Sequence, residues 1–457
     1  MVCSCQFFDF FYKSKKKYFM IRFLKIMLSE FDHFKRSPFK IFSLLLYTIA
    51  IIYGCQNGYT LYKKHNLEIS NIKTKISDSQ SKMMKTFDDI ESGSIEKPRR
   101  DPTTPYWAVR NTSTYSFKYP SKLMVFSIGQ AEQYGYYKYI TNWSTVFDED
   151  LAHEIANPER LAIGTIDYNF IFLYLTPILL IILLFNIGGL EKDLKFENLI
   201  LLNNISKNWW IFSRFSFYYV LNSILIICCL LFYVFRLEFD EANFNYFLNL
   251  FFIICIYLLC WFAIFYTINI FGNGSLDQSI KMVSIWLIFC IVIPGSIHQA
   301  SSIKYPTNYM LDYLNVSREK SNEIFSLSSD SLNKKLMNSY KFLKSSTHAK
   351  DSIVSKSIIN RSVSAIINDL NKNVNYQIES KNEKKNKFIN SFNIFNPVTF
   401  CQNKINKIAE TDYYSYKKYR FQIQSKIDDQ INMILLDTWN KIKINKIKYL
   451  QYIDELK

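Results

Sequence analysis

Glu191-Lys192-Asp193, with Lys195 and Glu197 just behind, form a dense acid–base group directly after the apolar run "LTPILLIILLFNIGG". Polar and apolar residues are separated end to end here, where a soluble core helix would alternate them. Charges so placed suit docking through ion pairs and hydrogen bonds. On a helix, where successive side chains turn by about 100°, Leu190, Leu194, Leu201 and Ile205 share one face, and Lys192, Asp193 and Glu197 lie off it. An amphipathic helix over 190–207 has two roles open to it. It rests in a membrane interface as an anchor, with "KNWW" as an aromatic belt, or it docks in the groove of a partner.

Other residues offer less. Asp167, in "GTIDYNF", sits where a carboxylate caps a helix N-terminus by accepting orphan amide protons; its sharper role is contact with a substrate or gate. Pro177 removes one helical hydrogen bond and kinks its segment, and Pro294-Gly295 ends another. These three positions are the pathway or gate candidates. The five histidines, His33, His65, His153, His298 and His348, have no ligand-spaced partners, and no metal site follows from them. Gly-x-Ser-x-Gly, His-Glu-x-x-His and the phosphate loop Gly-x4-Gly-Lys-Ser/Thr are all missing, so the chain reads as non-catalytic and without a cofactor. If it works with ATP, a separate chain binds it.

The elements that position these residues are membrane spans. Of 457 residues, 49% are hydrophobic, and they concentrate in runs of the length that crosses a bilayer, about 18 or more. The runs are 41–53 extended to 62, 170–187, 215–235, 246–271 and 283–297, and none contains a clear buried ionisable residue. The first is retained as an anchor, because no small-x-small cleavage site follows it. Lysines and arginines crowd residues 1–40, which places the N-terminus in the cytoplasm; Met20 and Met27 are alternative starts to Met1. The net charge of +16 is spread over polar helices with no recognition fold, which argues against nucleic acid. Six of the nine cysteines lie in or at the end of spans, Cys3 and Cys5 are N-terminal, and Cys401 alone falls in a large polar region, so no disulfide framework forms.

The fold class is therefore an all-α integral membrane protein with about five transmembrane helices and a mainly helical extracytoplasmic domain built from two segments. Residues 1–40 are a basic cytoplasmic N-terminus, 41–62 the first span, 63–167 a periplasmic segment, 168–297 the other four spans with the helix at 190–207, and 298–457 a second periplasmic segment. In 63–167, Ile69, Ile72, Ile76, Met83, Phe87 and Ile90 mark a helix, "EKPRRDPTTPYW" ends it, and an aromatic lobe follows. Stripes at Ile423, Ile427, Ile431, Ile434, then Trp439, Ile442, Leu450 and Ile453, mark bundle helices in 298–457. "INMILLDTWNKIKINKIKYLQYIDELK" carries too many charges to cross, so the sequence predicts five spans and a periplasmic Lys457.

The order of "FKRSPFKIFSLLLYTIAIIYG", "PTTPYWAVRNTSTYSFKYPSKLMVFSIGQ", "NPERLAIGTIDYNFIFLYLTPILLIILLFNIGGLEKDLKFENLILLNNISKNWW", "VIPGSIHQASSIKYPTNYM" and "FNPVTFCQNKINKIAETDYYSYKKYRFQIQ" resembles a type 2 ABC exporter permease of the subgroup with two large periplasmic segments. Such permeases carry Glu-x-Glu-x-Gly-Thr-Leu and a Leu-rich coupling helix after the second span. Glu191 and Asp193 match the acidic pair, and Leu199, Leu201 and Leu202 match the tail, whereas Lys195-Phe196 stands where Gly-Thr would be. The resemblance implies an ATPase subunit docked near Glu191, Asp193, Glu197, Leu201 and Ile205, a second permease copy or homologue, and the bacterial inner membrane. Family members generally have six spans, one more than here. The alternative is a non-transporting sensor or scaffold whose periplasmic bundle binds a ligand or an envelope partner.

Overall fold

The computed structural model describes residues 20–96, 98–148, 150, 165–202, 206–307, 310–351 and 354–457. It is helical almost throughout. Helix α1 covers 20–35, and α2, Pro38–Glu91, begins with proline at its first turn, where the missing N–H costs nothing. The sequence divides α2 at residue 62, but the structure does not. Its 54 residues form one helix of about 80 Å at 1.5 Å per residue, so its apolar first half continues as a rigid polar rod. Four more helical runs are long and apolar enough to cross a membrane: α3 (Tyr168–Asp193, with a turn at 185–188), α4 (Lys207–Arg236), α5 (Glu241–Phe271) and α6 (Ser275–Lys304). Among the described residues that makes five. The expected stop at Pro294-Gly295 does not occur, since α6 runs on to Lys304.

The polar half of α2, residues 98–148 and the C-terminal part of the chain build one body at one end of the spans. Its aromatic lobe holds a two-stranded antiparallel ribbon, β1 (Tyr115–Phe117) with β2 (Tyr137–Tyr139), in which Ser116 faces Lys138. Helices α7 (Lys356–Ser391), α8 (Pro397–Ile408), α9 (Tyr413–Trp439) and α10 (Lys446–Glu455) complete it. Ile423, Ile427 and Ile431 of α9 pack on Ile359, Val363 and Ile366 of α7, and Trp439 donates its indole N–H to Ser362 at 3.0 Å. Of the second stripe, Trp439 and Ile453 are buried, but Ile442 and Leu450 are exposed. Helix α10 is a body helix and not a span: Tyr449 meets Phe87 of α2 at 5.1 Å between ring centroids and bonds the Asn111 carbonyl at 2.9 Å. Residues 63–96, 98–148 and 446–457 therefore lie on the same side of the spans.

One spacing the sequence displays openly brings the body onto the spans. Gly54 and Gly58, four apart on α2, present bare backbone to their neighbours. A Cβ on Gly54 would stand 2.7 Å from the Tyr168 amide nitrogen at the start of α3, and one on Gly58 would stand 2.2 Å from the Val125 carbonyl oxygen. Small residues at this spacing allow backbones to approach closely in membranes. Gly58→Ala should therefore force α2 away from the lobe and destabilise the chain by about 1–3 kcal/mol, the usual cost of overpacking. Unfolding in mild detergent measures it, and a variant as stable as the native chain would contradict the close approach.

Candidate functional site

Two prolines shape the spans. In α3, residues Ile171–Leu175 form a π-helical turn in which the Thr176 N–H reaches five residues back to Ile171. Pro177 then has no N–H to give the Leu173 carbonyl, four residues back. The Tyr257 hydroxyl of α5 donates to that carbonyl at 2.5 Å, and the Trp286 indole of α6 donates to the Tyr174 carbonyl at 3.1 Å. In α6, Ile288–Val292 form a second π turn, with the Ile293 N–H bonded to Ile288. At that five-residue spacing Phe289 would look to residue 294, a proline. Its carbonyl is met instead by the Asn396 amide at 2.7 Å, from the N-cap of α8. The same Asn396 accepts the Val398 N–H at 2.8 Å. Helix α8 follows from there into the span core, burying Val398, Cys401 and Ile405 with Leu173, Trp261 and Cys290. Cys401, in a polar region by sequence, is thus a core residue of the spans.

At the body end of α3 these elements enclose a polar cluster. Asp167 caps α3 as its sequence implies, accepting the Phe170 N–H at 2.7 Å, and also takes the Ile128 N–H of the lobe at 2.8 Å. Burial pushes its carboxyl above the usual range, and the two amides oppose that rise without cancelling it. Beside it, the Asn169 amide donates to Ser127 Oγ and Asn406 Oδ1, both at 3.1 Å, and Ser127 donates to Asn406 at 2.5 Å. Ser127, Asn169 and Asn406 come from the lobe, α3 and α8, three stretches distant in the chain. A cavity of about 200 Å³ opens onto Asn169 and Asn406. Of the pathway candidates, Asp167 lines this cavity, Pro177 lies one turn beyond its inner wall at Leu173, and Pro294 acts from α6 through Asn396.

The opposite end of α3 departs from expectation. Residues 190–207 are not one amphipathic helix. Gly188, at φ 79°, turns the chain; one-turn helices Gly189–Asp193 and Glu197–Leu201 follow, broken by Lys195 in the left-handed region at φ 60°. The acids are nevertheless engaged within the chain. Glu191 pairs with Arg214 Nη1, and Arg214 Nε bonds Glu30 of α1 at 2.5 Å. Tyr218 joins Glu30 at 2.8 Å, and Lys40 reaches Tyr218 at 2.8 Å and the Leu183 carbonyl at 2.9 Å. Burial alone would push the Glu30 carboxyl up, but Arg214, Tyr218 and Lys40 together leave it below the usual range. Asp193 accepts from the amide and hydroxyl of Ser275, the first residue of α6. Glu197 pairs with Lys207 at 2.8 Å. The Leu201 side chain and Ile205 lie outside the described residues. The expected apolar runs themselves hold none of these charges, but the helices do: Lys40 and Arg214 are buried just inside α2 and α4, one residue before the runs that start at 41 and 215.

Among the described residues no His, Cys, Asp and Glu group could hold a metal ion, and the seven described cysteines are free. Compared with family models, curated proteins and solved structures, the chain matches none.

If the Tyr257 hydroxyl replaces the helical donor that Pro177 lacks, the two positions must be coupled. Tyr257→Phe should cost about 1–3 kcal/mol in the native chain, since it leaves the buried Leu173 carbonyl with only the weak Cys290 thiol at 4.0 Å. In a Pro177→Ala background, where residue 177 regains an N–H, the same change should cost clearly less. Equal costs in both backgrounds, measured by detergent unfolding, would contradict the substitution of one donor for the other.

Proposed function

We propose that this chain is the membrane subunit of an ATP-driven exporter of the type 2 ABC kind, working with a separate ATPase and a second permease copy in a bacterial inner membrane. The observation that carries this reading is the loop after α3. Its acids are used within the chain, while Leu190, Leu194, Phe196 and Leu199 are each exposed at the end of the spans away from the body. An apolar surface held on a rigid ionic base suits a partner's groove. Force applied there passes through Glu191–Arg214–Glu30 to α1 and α4, and through Asp193–Ser275 to α6. Such coupling requires that the ATPase contact the loop differently in its ATP-bound and free states. The N-terminus is then cytoplasmic, and the body, with Lys457, periplasmic. Docking rests on the leucines and not on Glu191 or Asp193; charge reversal at Glu191 would strand Arg214 and damage the fold itself.

The sensor or scaffold reading draws on α8, which would carry a load on the body directly into α3 and α6 without an ATPase. Recovery of the full chain from native membranes in mild detergent separates the two. A stoichiometric P-loop ATPase is expected with the native chain. Leu194→Lys with Leu199→Lys should reduce its recovery at least tenfold with membrane insertion unchanged, since each leucine buried at an interface contributes about 1.5–3 kcal/mol. No ATPase with the native chain would contradict the exporter. Undiminished recovery with the double variant would mean that the leucines only anchor the loop in the membrane interface.

A further inference from the structure

The cavity at the body end of α3 has a marked chemical bias. Of its walls, Glu132 and Gln133 come from the lobe, Asp167 and Asn169 from the start of α3, and Gln402 and Asn406 from α8. The described lining residues include no lysine, arginine or histidine. Asp167 is 7% exposed; its oxygens take amide hydrogens from Phe170 and Ile128, and no described cation forms an ion pair with it. Backbone amides supply partial charge only, so a buried negative charge remains. A second observation is independent of that charge. Asn169, 4% exposed, spends its amide hydrogens on Ser127 and Asn406, and its carbonyl oxygen Oδ1 has no donor among the described residues. A buried acceptor left without a donor is costly and rare, so such an atom points to a missing partner. Phe170 and Tyr174, stacked at 5.1 Å between centroids, stand on the same wall.

We infer that this cavity binds a protonated primary amine. The ligand must be positive, to meet Asp167, and must carry N–H donors, to meet Asn169 Oδ1. A neutral sugar would leave the charge uncompensated, and an anion would be repelled. A quaternary ammonium fits the charge and the rings but donates nothing. The volume of about 200 Å³ corresponds to roughly six or seven waters of the liquid and admits an aminoethyl-sized group. The apolar length of α3 begins beside the cavity, so the amine arrives either as the headgroup of an aminophospholipid or as a free amine from the aqueous side. This site does not depend on the exporter reading: a retained amine on a chain with no ATPase partner would sink that reading and leave the site standing.

The test uses the full chain purified in amine-free detergent. Titration calorimetry with ethanolamine and with choline, and native mass spectrometry after reconstitution in phosphatidylcholine nanodiscs with or without phosphatidylethanolamine, cover both sources. Ethanolamine is expected to bind at least tenfold tighter than choline, or phosphatidylethanolamine to be retained selectively; the second result without the first assigns the site to lipid. Asp167→Asn, which keeps an acceptor for the Phe170 amide, should weaken the binding at least tenfold. If that variant is not recovered folded, Gln402→Glu decides, since an added carboxylate on the wall should tighten amine binding several-fold. Choline binding as tightly as ethanolamine, no retention of either probe, or an unchanged affinity in the folded variant would overturn the assignment.

Discussion

A proline inside a span leaves a backbone carbonyl without its helical donor, and in an apolar bundle no water replaces it. Leu173 and Phe289 are two such carbonyls, and the donors they find set the architecture. Leu173 takes the hydroxyl of Tyr257, which ties α3 to α5. Phe289 takes the amide of Asn396, which lies at the head of α8 in the C-terminal polar segment. Once Asn396 is placed, α8 enters the span core with Val398, Cys401 and Ile405, and its far end delivers Asn406 to Ser127 and Asn169. The polar cluster around Asp167 exists because a membrane helix needed a donor from outside its own sequence.

The other end of the spans solves a different problem with charge. Glu30, Lys40, Arg214 and Tyr218 are buried together, and the half-buried Glu191 joins them through Arg214. Desolvating these charges is costly, and the geometry offsets it only while every partner stays in place. The cluster therefore holds the loop after α3 to α1, α2 and α4, and Asp193 holds it to α6. Between this ionic base and the polar cluster near Asp167, α3 contains its π turn and Pro177. π turns mark places where a helix can change its bonding at small cost, and they recur at functional sites. Movement of the loop would therefore be taken up at residues 171–177 before it reached the cavity.

The apolar runs were legible because hydropathy over about 18 residues leaves few alternatives. Asp167 was legible as a cap, since a carboxylate just before an apolar run has a local reason to be there. The ends of the spans were not. Lys40 and Arg214 look like flanking charges in sequence, and only the fold brings Glu30 and Glu191 to them. Pro294 reads as a stop because the donor that lets α6 continue, Asn396, lies about a hundred residues downstream. Helix α8 carries its apolar residues at ordinary amphipathic spacing, so nothing local says that they face spans and not a soluble bundle. Gly54 and Gly58 were a visible signal of close packing. Lys195 in a left-handed conformation, which breaks the helix expected over 190–207, had no marker in its residue type.

The central claim is that α8 and the broken spans form one unit through Asn396. Hydrogen–deuterium exchange of the intact chain in nanodiscs, compared with Asn396→Leu, tests it most directly. Faster exchange is predicted in the variant both at residues 397–408 and at residues 288–293 of α6, together and to a similar degree. Exchange that rises in α8 alone, or in neither segment, would contradict the claim.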